Sequence, residues 1–356
     1  MKGALQGKSV LVTGGTGSLG KVLVRRLLTG ELGDPRKIIV LSRDEAKQHD
    51  MRMEYQQRRA ATDEIIFRNF QQKLEFRIGD VRDYHSVAGA LRQADVVFNA
   101  AALKQVPTCE YFPYEAVQTN VLGPENIIRA IQEQALPIET VVGVSTDKAC
   151  KPVNVMGMTK AIQERVFVQA NIRCPGTRFI CVRYGNVLAS RGSVVPLFHD
   201  QIRAGGPVTL TTLDMTRFLL SLDEAVDTIF ACVREGRPGE TYVPIVPSAR
   251  VEDVAHVLIG DRDIRTEVIG IRPGEKVHEI LVSEEEAFRT YRRGSRYYVI
   301  QPMLPELRDE KLLEKTLTGE YSSATEPMSR EQVGVVLRER RLMVDSVRPG
   351  GVELLA

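Results

Sequence analysis

The chain has 356 residues, 43% apolar and 26% charged, with a net charge of +2. This is ordinary globular usage, enough for one large domain or two smaller ones with a sizeable core. The near-neutral balance, with Lys and Arg spread along the chain, excludes nucleic-acid binding driven by electrostatics alone. No apolar run approaches the roughly 20 residues that cross a bilayer. Met1-Lys2-Gly3-Ala4-Leu5 does not open a signal peptide, so a cytoplasmic protein with no membrane partner is expected. The five cysteines (Cys109, Cys150, Cys174, Cys181, Cys232) form no CxxC or Cys/His cluster, which argues against disulfides and zinc.

Apolar runs of strand length recur at 9–13, 37–41, 74–78, 96–100, 140–145 and 179–183. Segments of helical periodicity lie between them, at 21–28, 119–135 and 159–171. Alternating strand and helix predicts an α/β protein with a doubly wound parallel sheet, and continuous apolarity predicts strands buried on both faces. The segment 44–72 is long for a connection and carries Met51, Met53, Tyr55, Ile65, Ile66, Phe67 and Phe70; it reads as a helix pair on the sheet edge or as a subunit contact. After Tyr184 glycine and proline become frequent, as in a smaller domain over the sheet's C-terminal edge. A helix at 223–234 and a strand at 240–246 return the chain to the main sheet. Ser329-Arg330-Glu331-Gln332 is a capping-box pattern ahead of a helix at 333–341, and the tail from Val344 reads as loose.

Two regions carry chemistry. At the first strand–helix junction, Gly14, Gly17 and Gly20, with Thr16, Ser18 and Leu19, form a turn that brings backbone N–H groups and a helix N-terminus to a pyrophosphate. A glycine turn with no ligand is the alternative. The second strand ends at Ser42-Arg43 in place of the acid that would hold a ribose 2′-hydroxyl, so NADP is expected over NAD. Asp80 and Val81 are placed to meet the adenine, and Ala100 and Ala101 to give the cofactor backbone contacts. Asn120 reads as a cofactor neighbour or a structural hydrogen-bonding residue.

The second region is Val144-Ser145-Thr146-Asp147-Lys148, followed by Met156-Gly157-Met158-Thr159-Lys160. An acid and a base stand together at a strand end, with another lysine on the next helix. Position 156, four residues before Lys160, is where many nicotinamide enzymes carry tyrosine; a thioether exchanges no proton. Met156 either packs against a ligand or fills core. A surface ion pair is the alternative for Asp147 and Lys148.

These blocks, with Ala101 to Pro107, Arg183 to Val187, Asp214 to Phe218 and Arg272 to Lys276, resemble the extended short-chain dehydrogenase/reductases. Over about residues 10–323 the chain is similar to their soluble UDP-N-acetylglucosamine 4,6-dehydratases, including a subset with methionine for tyrosine. The resemblance implies a Rossmann-type NADP domain (1–185 and 220–246), a smaller α/β nucleotide-sugar domain (186–219 and 247–343) and a tail (344–356). It implies a homo-oligomer, a dimer or a hexamer, with UDP-N-acetylglucosamine as substrate. It also implies a reaction: C-4 is oxidised, a base removes the C-5 proton, C-6 hydroxyl leaves as water and hydride returns to C-6. Both C-5 outcomes occur among methionine-bearing relatives, and retention is the reading taken.

On this reading Lys148 is the C-5 base, favoured in its neutral form, and Asp147 the acid at C-6, with its pKa raised by burial. Thr146 bonds the C-4 oxygen and Lys160 the nicotinamide ribose. Arg217 and Arg272 suit the diphosphate, Glu275 the uridine ribose, and Lys104 and Asn186 line the cleft. A UDP-hexose 4-epimerase needs no acid–base pair at C-5 and C-6, and a non-catalytic NADP-binding regulator would have no need to keep these residues.

Overall fold

The computed structural model describes residues 3–57, 64–188, 193–271, 274–309 and 317–346. A nine-stranded sheet organises the chain. Its strands are β1 (Ser9–Thr13), β2 (Lys37–Ser42), β3 (Leu74–Ile78), β4 (Val96–Asn99), β5 (Thr140–Val144), β6 (Arg178–Val182), β7 (Thr241–Pro244), β8 (Thr290–Arg293) and β9 (Tyr297–Ile300). The order is β8-β9-β7-β6-β5-β4-β1-β2-β3. Pairing is parallel from β3 to β7 and antiparallel for β7, β9 and β8. This is the Rossmann-type architecture, with the order of strand addition reversing between β1 and β4.

Strand alternation sorts side chains into two cores. Val10, Val12, Val40, Phe98, Val142 and Val182 face one layer of helices; Leu11, Ile39, Val97, Val141 and Phe179 face the other. Both sets are apolar, which is why the strands read as unbroken runs. The helices Glu45–Gln57 and Glu64–Lys73 close the β3 side, with Met51, Tyr55, Ile66 and Phe70 buried in the first core and the rings of Tyr55 and Phe70 stacked 5.4 Å apart. Among the described residues no helix is long and apolar enough to cross a membrane.

The smaller unit has its own core of Val195, Phe198, Ile202, Leu210, Val254, Leu258, Val333 and Leu337. Its last helix, Arg330–Glu339, starts from Ser329 with the capping box formed. The hairpin β8–β9 lies in the stretch assigned from sequence to this unit, yet it hydrogen-bonds to β7 and extends the main sheet. Val344 is buried and Asp345 pairs with Arg262 at 2.7 Å, so the chain is still packed where the tail was expected to loosen; residues 347–356 lie outside the described ones.

The two units are joined beneath the site by a buried ion cluster. Arg183, just after β6, bonds Glu164 at 2.6 Å and Glu286 at 2.6 Å and donates to the Leu281 carbonyl at 3.0 Å. Ser145 donates to the same Glu164 at 2.6 Å. Burial pushes the Glu286 carboxyl up, but the Arg183 charge and hydrogen bonds win and hold it at about 2. Because the folded value is depressed, its stabilising contribution is present above the usual 4.5 and is lost as pH falls through about 2. Arg183→Ala leaves two carboxylates buried without their partner, so we expect a destabilisation of about 3–5 kcal/mol, measured as a lower urea midpoint; an unchanged midpoint contradicts this.

Candidate active site

The site grows from the C-terminal ends of β4, β5 and β6. After β5 the backbone N–H of Ser145 bonds the Val182 carbonyl at 2.7 Å and that of Asp147 bonds the Tyr184 carbonyl at 3.0 Å. These bonds carry the sheet's register into a short turn, Asp147–Ala149, which Thr146 caps. The helix Val155–Arg173 begins at Asn154, whose side chain accepts from Gly157 N–H and donates to the Gly274 carbonyl at 2.8 Å. Gly157 is required by close approach: a Cβ there would lie 2.2 Å from the Lys148 carbonyl oxygen. The helix thus seats directly on the Asp147–Lys148 turn.

Asp147 is wholly buried, whereas the Lys148 side chain keeps 20% exposure. Lys148 Nζ lies 3.3 Å from both Asp147 carboxylate oxygens, 3.0 Å from Asn186 Oδ1 and 3.3 Å from Glu279 Oε1. Thr146 Oγ1 donates to Asp147 Oδ1 at 2.6 Å. Glu279, missed from sequence, completes the group from the smaller unit; it stands three residues past Lys276, just before the apolar Ile280-Leu281-Val282. A carboxylate opening a buried run was the available signal.

Two electrostatic expectations are corrected. Burial alone would raise Asp147, but the Lys148 charge and hydrogen bonding with Glu279 and Thr146 hold its carboxyl below the usual range. Burial alone would neutralise Lys148, but the charges of Asp147 and Glu279 raise its ammonium pKa. Glu279 is the perturbed acid: burial, then the Asp147 charge, pushes it up to about 7.

Lys160 is buried and donates to the Val144 carbonyl at 2.5 Å and Gln163 Oε1 at 2.6 Å; Gln163 was also missed. Met156 packs with Cys109 and Ala116, beside Leu103 and Val106, in keeping with the core-filling alternative. Asn120 sits on the π-turn Gln118–Leu122 and bonds the Leu103 N–H, the Leu103 carbonyl and the Thr159 hydroxyl at 2.8, 2.9 and 3.0 Å, which is the structural alternative. Lys104 follows on this braced loop and is exposed.

Arg217 is turned inward. Its guanidinium donates to the carbonyls of Thr216, Lys276 and Val277 at 2.7–3.0 Å and reaches Glu279 at 3.5 Å, so it braces the loop instead of presenting a fork to a diphosphate. Glu275 is half-buried on that loop. Arg272 lies outside the described residues.

The glycine turn fits a dinucleotide. Gly14 has φ +66°, and a Cβ there would lie 2.8 Å from the Ala101 backbone. At Gly20 a Cβ would lie 2.5 Å from the Gly14 carbonyl oxygen. No side chain caps the helix Ser18–Leu28 at Gly17, so no side-chain cap takes its first N–H groups, the donors that a pyrophosphate would use. Ser18 and Leu19 are half-buried in its first turn, and Ala100 is half-buried at the β4 end. Asn99 Nδ2, beside this turn, is buried with no partner.

Thr16 and Ser42 join their hydroxyls at 2.9 Å. Arg43 is exposed and lies 3.7 Å from Asp80, while Asp80 is held by Arg82 at 2.7 Å. Val81 is buried against Gly123. Among the described residues no group of three or more His, Cys, Asp or Glu could hold a metal ion.

Residues 10–302 match the model of a family described as polysaccharide biosynthesis protein. A Rickettsia conorii protein named UDP-glucose 4-epimerase is 45% identical over 284 residues, 78% of this chain and 79% of its own. A Rickettsia prowazekii protein of the same name is 42% identical over 323 residues, 89% of each. The X-ray structure of Pen from Bacillus thuringiensis superposes with a TM-score of 0.82 at 31% identity, covering 94% of this chain and 98% of that one. DesIV from Streptomyces venezuelae, a dTDP-glucose 4,6-dehydratase solved with NAD, shares the fold with a TM-score of 0.61 at 22% identity, over 76% of this chain and 86% of its own.

Burial lowers the Lys160 ammonium to about 8. In 13C-lysine NMR we expect one Cε resonance to titrate near pH 8 and to be missing in Lys160→Met; a Lys160 signal that titrates with the exposed lysines contradicts this environment.

Proposed function

This chain belongs to the polysaccharide biosynthesis protein family, and on that premise we propose that it is a nucleotide-sugar 4,6-dehydratase acting on UDP-N-acetylglucosamine. One observation carries the reading: Lys148, partly exposed, stands against the buried acids Asp147 and Glu279 at the end of β5. An acid–base group of this kind serves proton removal at C-5 and water loss at C-6, beyond what hydride transfer at C-4 alone demands.

The residues that would hold a nicotinamide dinucleotide are the turn Gly14 to Gly20, Ser42, Arg43, Ala100, Ala101 and Lys160. When bound, this group supplies the acceptor for hydride from C-4 and gives the hydride back at C-6. The exposed Arg43 supports NADP, through its fit to a 2′-phosphate, whereas the NAD of the DesIV structure supports NAD. Titration with each dinucleotide decides between them; NADP binding no tighter than NAD would remove Arg43 from that role.

Lys148, the most exposed of the three, takes the C-5 proton and delivers a solvent-exchangeable one to the same face, which gives retention. Asp147 is covered, so it reaches the sugar through the half-buried Thr146 hydroxyl, which already donates to it. Thr146 accepts the C-4 hydroxyl proton as it passes its own to Asp147. In the reverse sense the relay protonates the departing C-6 hydroxyl. No phenol is needed at position 156.

The Rickettsia proteins' name favours a second reading, a UDP-hexose 4-epimerase. Mass spectrometry after incubation with UDP-N-acetylglucosamine and dinucleotide separates the two. We expect a product lighter by one water; a product of unchanged mass supports the epimerase and overturns the dehydratase. Lys148→Ala is expected to lower product formation by about 10²–10⁴-fold while leaving dinucleotide affinity unchanged.

A further inference from the structure

Glu279 is a carboxylate fixed from the smaller unit onto the acid–base pair of the larger one. Its backbone is clamped to Ser323, with the Glu279 N–H donating to Ser323 Oγ at 2.9 Å and the Ser323 N–H donating to the Glu279 carbonyl at 2.8 Å. Its Oε1 lies 3.3 Å from Lys148 Nζ and 3.5 Å from Arg217 Nε, and its Oε2 is buried with no donor. The carboxyl is within hydrogen-bonding reach of Asp147. Two carboxylates have no proton to share, so a bond between them forms only when one is protonated. A buried oxygen without a donor is itself costly unless it gains a proton.

This geometry matters because Lys148 is held as an ammonium, and an ammonium is no base. Resting on the dehydratase reading, we propose that Glu279 is the proton store for Lys148: it accepts the ammonium proton while Lys148 works at C-5, and gives it back afterwards. The Nζ–H bond of Lys148 breaks as the Oε1–H bond of Glu279 forms, leaving an amine beside a neutral acid. The amine takes the C-5 proton, the ammonium so formed exchanges its hydrogens with solvent, and one of them is later delivered to C-5. Glu279 then returns the stored proton to Lys148, so the cycle closes with no proton gained or lost. Glu279 touches no substrate atom in this scheme and is a positioning residue acting through Lys148.

The store works only when Glu279 begins unprotonated. The charged groups facing it are Asp147 and Lys148 on the turn after β5, Arg217 on the strand Thr216–Phe218, and Lys276 on its own loop. Lys276 is tied to the Cys150 carbonyl at 2.6 Å, and the His278 ring is turned to Thr216 at 2.9 Å. Their balance places the Glu279 carboxyl at about 7, with burial as the largest cause. Turnover should therefore rise as pH increases through about 7.

The test uses the full-length protein and the variants Glu279→Gln and Glu279→Asp. Infrared difference spectra without substrate should show a protonated carboxyl band that grows as pH is lowered through neutrality and is absent in Glu279→Gln. With UDP-N-acetylglucosamine and dinucleotide in D₂O, Glu279→Gln should lose C-5 deuterium incorporation at neutral pH by at least about tenfold. It should regain incorporation only at alkaline pH, where Lys148 sheds its proton to water, while Glu279→Asp keeps part of the neutral-pH rate. Thermal unfolding confirms that the variants are folded, and the Asp variant serves if the Gln variant is not. Wild-type incorporation with no titrating carboxyl, or an unaltered pH profile in Glu279→Gln, overturns the assignment. Absence of C-5 incorporation in the wild-type protein overturns the dehydratase reading instead, and the infrared titration still reports on Glu279.

Discussion

The charge on Lys148 is the constraint from which the rest of the site follows. An ammonium drawn into a protein interior is costly unless opposite charges and hydrogen bonds meet it. Asp147 meets it from the same turn, and Asn186 and Glu279 from beyond β6 and from the smaller unit. To bring Glu279 there, the segment after Gly274 must lie over the C-terminal ends of β5 and β6. It is fastened by Asn154 to Gly274, Lys276 to Cys150, Arg217 to Lys276 and Val277, and Arg183 to Leu281. Each fastening is a charged or amide donor on a backbone carbonyl, a stronger anchor than apolar contact alone when buried. The contacts that fasten this segment also place Glu279 against Lys148.

Much of this was legible in the chain. The parallel strands could be read because both faces of each are buried, so their residues are apolar without alternation. The glycine turn could be read because its spacing is set by steric limits that act locally. The pair Asp147–Lys148 could be read because the two are adjacent in sequence.

What escaped was set by distance along the chain or by a sheet edge. Glu279 is 131 residues from Lys148, and its charge adds to that of Asp147 in raising the Lys148 ammonium pKa. The hairpin β8–β9 mixes Arg292, Arg293, Tyr297 and Tyr298 because it pairs at the sheet's margin, where one side is open; that pattern resembles a loop-rich unit. Arg217 has the composition of a phosphate ligand, yet the carbonyls of Lys276 and Val277 lie closer to hand and take its donors. Met156 shows the opposite case, an absence legible at once: a thioether packed among Cys109, Ala116 and Leu103 exchanges no proton.

The central claim is that Lys148 and its two acids remove a proton from sugar carbon C-5. Proton NMR of the reaction with UDP-N-acetylglucosamine in D₂O addresses it directly, because C-5 carries deuterium only if its own proton has been taken away. The account predicts a new 6-deoxy methyl signal, deuterium at C-5 and ring couplings of the retained configuration. A C-4 epimer with its C-5 proton intact would contradict it.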